Sequence, residues 1–209
     1  AVPVECATHA IIDANICPYR ASEWEVCQPP LKSLKPGMLC LADRGFNGYR
    51  HWQEARQTGA DLLWRCAQNR QLPVVKSLED GSYLSVIYPS DKARRTNEGA
   101  RQVRVIEYAW PKLDDTQTRY RLMTSLLDPT VAPALELAAL YHERWQVEAV
   151  FDELKTHLQQ KRRVLRSKTP ELVRQEFYGW VLAHYAVRWL MLSSGAPAGS
   201  PSARAVIAS

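Results

Sequence analysis

Tyr141-His-Glu-Arg144-Trp-Gln-Val-Glu148-Ala-Val-Phe-Asp-Glu-Leu-Lys155 superimposes a polar and an apolar period on one helical stretch. At about 100° per residue, Tyr141, Arg144, Glu148 and Lys155 fall within an arc of roughly 60°. Leu140, Val147, Val150 and Leu154 project to an adjoining face. Such a helix packs its apolar side and presents a hydroxyl, a guanidinium, a carboxylate and an ammonium in one line. Alone, the pattern also describes a solvated amphipathic helix with favourable pairs three or four residues apart.

Upstream, Gly37-Met-Leu-Cys-Leu-Ala-Asp43-Arg-Gly-Phe46 is a short apolar run ending in an acid, followed by a glycine that lets the chain turn. It reads as a buried strand delivering Asp43 to a sheet edge, although Asp-Arg-Gly by itself is an ordinary turn. One carboxylate at a strand's end and a second on a packed helix meet what magnesium asks for, a few oxygen ligands.

Asp43-Arg-Gly-Phe46, followed by Tyr141, Arg144, Glu148 and Lys155 at gaps of two, three and six residues, resembles the insertion-sequence-4 family of bacterial DDE transposases. The resemblance extends to about Leu192. It implies an α/β fold with a ribonuclease-H-like core, a mixed sheet with flanking helices interrupted by an inserted β-rich subdomain. It makes Asp43 and Glu148 the second and third catalytic acids and metal ligands, with two Mg2+ ions expected and Mn2+ able to substitute. Asp43 would bridge the ions and Glu148 would ligand one. Asp152, one turn further on, is a competing ligand ranked below Glu148. The implied activity is metal-dependent DNA cleavage and strand transfer at insertion-sequence ends. The implied partners are DNA, as terminal inverted repeats and target, and a second copy of the chain on that DNA.

Tyr141, Arg144 and Lys155 are no metal ligands, because a guanidinium or ammonium has no lone pair to give. The resemblance assigns them to DNA phosphate: Arg144 bidentately, Lys155 as a point charge, Tyr141 by a hydrogen bond. In some relatives they secure DNA bent into a hairpin, and an aromatic twenty-one residues before the motif tyrosine stacks on a displaced base. That position here is Tyr120, which reads equally as a cross-strand packing residue. The family's first acid sits on the opening strand of the core, before Gly and Ser or Thr, and no such segment precedes Val2. That strand is expected to be cut off or lost, and Asp13 and Glu5, the acids nearest the start, sit on the wrong strands to replace it.

The 209 residues are 46% hydrophobic, and no apolar stretch is long enough to span a bilayer. No secretory signal is read, and the resemblance implies the bacterial cytoplasm, in association with the nucleoid. The five cysteines form no close metal-binding pair and suit a reducing compartment as small core residues. Net charge is +5, with Lys161, Arg162, Arg163, Arg166, Lys168 and Arg174 in one cluster and Lys92, Arg94, Arg95, Arg101 and Arg104 in another. Both suit a phosphate backbone, and both also describe solvated surface.

The pattern divides the chain into a first core part at 1–59, a β-rich insertion at 60–128, a helical core part at 129–192 and a disordered Ser/Ala/Gly/Pro-rich tail at 193–209. Val2 to Cys6 and Thr8 to Ile16 read as strands paired through a turn near His9. Helices are expected at Glu23 to Leu34, Gly48 to Thr58, from Pro133 to about Gln160, and from Thr169-Pro170 to about Leu192. Strand runs at 61–67, 72–78, 83–88, 103–110 and 119–127 form the insertion, with Asp80-Gly81 as a hairpin turn. Two other functions fit the same residues. One is a truncated, inactive transposase that binds DNA only. The other is a restriction-type nuclease using Asp43 with Glu153-Leu-Lys155, although that site carries its Glu-x-Lys on a strand and the period here is helical.

Overall fold

The computed structural model describes residues 3–6, 9–18, 20, 23–46, 48–111, 117–145, 167–194 and 205–208. The chain forms two compact units, Leu34–His142 and Ala1–Ser33 with Glu143–Ser209.

In the Leu34–His142 unit, the apolar run before Asp43 forms strand β2 (Leu39–Ala42), with Cys40, Leu41 and Ala42 buried. Parallel to it lies β3 (Asp61–Arg65), Leu39 opposite Asp61 and Ala42 opposite Trp64. Parallel neighbours need a crossover, which is supplied by helix α2 (Tyr49–Arg56). The sheet then continues antiparallel through β7 (Gln117–Thr124), β6 (Arg101–Pro111), β5 (Tyr83–Ile87) and β4 (Lys76–Ser77). It therefore runs unbroken from the Asp43 strand into strands lying beyond residue 60.

Alternation along these strands builds two buried faces. On one, Trp64 meets Phe46 edge-on (6.0 Å between centroids) and Trp52 of α2 (5.2 Å). The fully buried Leu62, Leu63 and Trp64 each contribute about 1.5–3 kcal/mol by leaving water. The other face carries Arg65, Tyr120 and Tyr108 and is covered by α4 (Ala134–His142). The result is a mixed sheet with helices on both faces.

Gly59, after α2, holds φ of +83°, and a Cβ there would come within 2.7 Å of Pro36 Cγ. Gly59→Ala is therefore expected to destabilise by about 1–3 kcal/mol in urea unfolding. The Asp80-Gly81 turn joins β4 to β5 as the sequence suggests, with Gly81 at φ +81°. A short helix, α3 (Asp91–Thr96), lies between β5 and β6 where only strand texture was read; Ser90 caps it by accepting from the Ala93 amide (3.1 Å).

The other unit begins with β1 (Val4–Glu5), which turns back at His9 (φ 56°) so that Val4 faces Ile11. This is the expected hairpin, shorter than its apolar pattern. Asp13 accepts from Ser33 Oγ (2.6 Å) and from the Ala14 amide (2.7 Å), which commits both of its oxygens locally. Helix α1 (Glu23–Leu31) ends at its two prolines, whose carbonyls accept from Lys32 and Ser33. Helix α5 (Pro170–Ser193) starts at Thr169, which accepts from the Leu172 amide (3.4 Å).

Two expectations need correcting. The tail is not wholly without structure: Ala205–Ala208 forms strand β8, antiparallel to β1, with Val4 opposite Ile207. Ala-Val-Ile-Ala is a short β-favouring run, outweighed in the sequence by the Ser, Gly and Pro around it. The single helix expected after Pro133 also breaks early. Helix α4 stops at His142, a 3-10 turn covers Glu143–Trp145, and residues 146–166 lie outside the described residues. Among the described residues no helix is long and apolar enough to cross a membrane. Cys6 and Cys66 are buried free thiols, and burial pushes them up to about 12 and about 11. They remain protonated core groups.

Candidate catalytic and nucleic-acid site

Asp43 directly follows β2, where the strand's last buried residue gives way to a 3-10 turn at Arg44–Phe46. Its Oδ1 accepts from the Arg44 amide (2.6 Å), and its side chain is 41% exposed. Arg65 ends β3, the parallel neighbour, and so emerges at the same end of the sheet. Its Nη1 lies 3.8 Å from Asp43 Oδ1, and its guanidinium lies 4.5 Å from the centre of the Tyr120 ring.

Tyr120 stands opposite Tyr108 across β6 and β7, the rings stacked at 5.4 Å and 15°. His142, the last residue of α4, meets Tyr120 edge-on at 5.0 Å and shares a hydrogen bond between its Nε2 and the Tyr108 hydroxyl (3.1 Å). Burial above all, with Tyr141 and Tyr120 nearby, raises the Tyr108 pKa, while Arg65 opposes the rise. The phenol stays protonated. Tyr141 is 2% exposed and donates to the Ala42 carbonyl (3.4 Å), the peptide adjoining Asp43. Asp43, Tyr120 and Tyr141, spread over about a hundred residues of sequence, thus gather in one unit with Arg65, Tyr108 and His142.

Arg144 is buried in the other unit. Glu148 and Lys155 lie outside the described residues, as do Asp152, Glu153 and the basic run Lys161 to Arg166. Of the central basic cluster, Arg104 is no surface charge. It is fully buried, ion-paired with Asp80, and donates to Ser82 Oγ (2.8 Å) and the Ala132 carbonyl (2.6 Å). Arg94 is held by Gln71, leaving Lys92, Arg95 and Arg101 exposed.

Residues 6–186 match the model of the transposase DDE domain. The chain belongs to that family. Transposase InsG of insertion sequence element IS4 from Escherichia coli (strain K12) is 28% identical over 90% of this chain and 43% of its own length. The putative transposase y4zB of Sinorhizobium fredii (strain NBRC 101917 / NGR234) is 26% identical over 75% of this chain and, likewise, 43% of its own length. The chain thus spans about two fifths of the length of these curated relatives.

DDE-domain transposases use divalent metal. In this DDE domain, Asp43 offers what such an ion prefers, a part-exposed carboxylate held at the rigid end of a strand. No three His, Cys, Asp or Glu side chains converge among the described residues. Arg65 already stands beside Asp43 as a positive charge of the kind an ion would bring. The alternation of Leu-Leu-Trp-Arg65 and of Arg-Tyr120-Arg puts Arg65 and Tyr120 on strand faces, but strand order alone makes them neighbours, so Arg65, Tyr108 and His142 escape a linear reading.

Proposed function

We propose that this chain is the catalytic domain of an insertion-sequence transposase, a ribonuclease-H-like core with an inserted β-subdomain that cleaves and joins DNA at the element's ends. What supports this reading most is Asp43 at the end of a buried strand, beside an arginine and an aromatic cluster, in a chain of the DDE family. Asp43 and Glu148 hold magnesium, with manganese able to substitute. The chemistry bound metal supplies is activation of a water or 3′ hydroxyl and stabilisation of the leaving oxygen at a phosphodiester.

The chain's own groups do the rest. Asp43 keeps its carboxylate aimed by accepting from the Arg44 amide. Arg144 and Lys155 hold phosphates and Tyr120 offers a face to a base, while Tyr141 reaches a phosphate only by giving up its hydrogen bond to the Ala42 carbonyl. The partners are transposon terminal inverted repeats, target DNA and a second copy of the chain on DNA, in the bacterial cytoplasm at the nucleoid.

Arg144→Ala is expected to weaken binding to transposon-end DNA about tenfold at low salt and to flatten the salt dependence by about one counterion. Affinity titrations from 50 to 200 mM salt measure both. Unchanged affinity and slope would remove Arg144 from the DNA contact.

A further inference from the structure

Arg65 serves two neighbours with one guanidinium. Its Nη1 is 3.8 Å from Asp43 Oδ1, and its Cζ lies 4.5 Å from the centre of the Tyr120 ring. The side chain is 16% exposed, whereas Asp43 is 41% exposed, so the arginine lies over the ring while the acid opens toward solvent. Tyr120 is already engaged by Tyr108, stacked at 5.4 Å, and by the edge of His142 at 5.0 Å. The position a further planar group would take on this ring is therefore the one the guanidinium occupies. The position a cation would take at Asp43 Oδ1 is likewise beside that guanidinium, and two like charges about 4 Å apart repel.

We propose that Arg65 is a shared plug, whose guanidinium keeps the Asp43 carboxylate from a divalent cation and the Tyr120 face from a nucleobase until one of the two displaces it. The inference rests on the reading of Asp43 as a metal-binding acid and deepens it by giving that site its regulation. Displacement by either ligand removes the obstacle to the other. Cation and base therefore bind with positive coupling, and the coupling factor must be the same measured from either side. A cation at Asp43 draws the carboxylate's charge away from Arg65 and loosens its hold on the ring. A base on Tyr120 displaces the cation–π contact and turns the guanidinium out toward water.

The test uses the full chain, MnCl2 as the cation and a single-stranded oligonucleotide containing 2-aminopurine as the stacking probe. Mn2+ binding is read by electron paramagnetic resonance and stacking by fluorescence quenching, with urea unfolding as the control for folding. Arg65→Gln is expected to tighten Mn2+ binding about three- to tenfold, since a part-exposed pair as long as 3.8 Å is worth only a modest energy. In the unaltered chain the oligonucleotide should tighten Mn2+ binding, and Mn2+ should tighten oligonucleotide binding by the same factor. In Arg65→Gln that coupling should vanish. Arg65→Lys keeps the charge but not the planar stack, so it should retain weak Mn2+ binding while stacking on Tyr120 becomes independent of Mn2+. Equal or weaker Mn2+ binding by Arg65→Gln, or coupling that survives in it, overturns the plug. Asp43→Asn separates the two levels: if it binds Mn2+ as the unaltered chain does, the underlying metal assignment fails, and the plug fails with it.

Discussion

Asp43→Asn, placed in a transposase of the relatives' full length, is expected to lower magnesium-dependent nicking of transposon-end DNA by at least about a thousandfold. DNA affinity should stay within about twofold. Asparagine keeps an oxygen at the same place, so the Arg44 amide retains its acceptor and the turn after β2 is preserved. What is lost is the negative charge, and with it one carboxylate of the proposed divalent-cation site. Because side chains that act as a unit are strongly non-additive, Asp43→Asn combined with Glu148→Gln should be scarcely worse than either alone. Nicking by Asp43→Asn within tenfold of the unaltered protein would show that this acid is not in the chemistry.

Arg104→Met is expected to destabilise the Leu34–His142 unit by about 1–3 kcal/mol in urea unfolding, because the part-exposed Asp80 carboxylate, Ser82 Oγ and the Ala132 carbonyl lose the donor that serves them. Arg104 is fully buried, and its donors serve Asp80, Ser82 and the Ala132 carbonyl together. Asp80 in turn accepts from the Ala134 amide (2.9 Å), the first residue of α4, so the pair ties a hairpin turn to the start of that helix. At its other end α4 is tied to β6 through Tyr108 and His142.

Asp80 also gives this junction a pH dependence. Burial alone would raise its pKa, but hydrogen bonds from Ser82 and the Ala134 amide, with the Arg104 charge, outweigh burial and lower it. A carboxyl whose pKa is lower folded than unfolded stabilises fully above the unfolded value, near 3.9. That contribution is lost as pH falls through the folded value. The stability gap between the unaltered chain and Asp80→Asn should therefore be constant above about pH 5 and shrink below about pH 4. A gap independent of pH down to pH 3 would remove Asp80 from the account.

Much of the sheet was legible because burial writes a period into the sequence. Leu-Cys-Leu-Ala before Asp43 and Leu-Leu-Trp after Asp61 are runs that only a doubly covered strand tolerates, and both are strands paired in parallel. Thr169-Pro170 announces α5 because a hydroxyl acceptor and a preset φ suit a helix start. Helix α3 hid because six residues are too few to show a 3.6 period, although Ser90-Asp91 and the left-handed Asn97 mark its ends. Arg104 looked like part of a basic surface, since the acid that neutralises it lies twenty-four residues away across the sheet.

The site divides along the same line. Asp43 and the Tyr141 to Lys155 spacing are local patterns and can be read in one dimension. The contacts of Arg65 with Asp43 and Tyr120 depend on β3 lying between β2 and β7, an order that no local pattern encodes. Tyr120 opposite Tyr108 is a register fact of the same kind.

The most direct test of the central claim, that Asp43 and Glu148 share one divalent-metal site, is metal-directed cleavage of the protein itself. Fe2+ with ascorbate and peroxide, added to the DNA-bound chain, releases hydroxyl radicals that cut the backbone next to the bound ion, and mass spectrometry locates the cuts. The account predicts cuts beside Asp43 and beside Glu148, both suppressed by excess Mg2+ and both absent from Asp43→Asn. Cuts at neither position, or cuts that Mg2+ does not suppress, would contradict it.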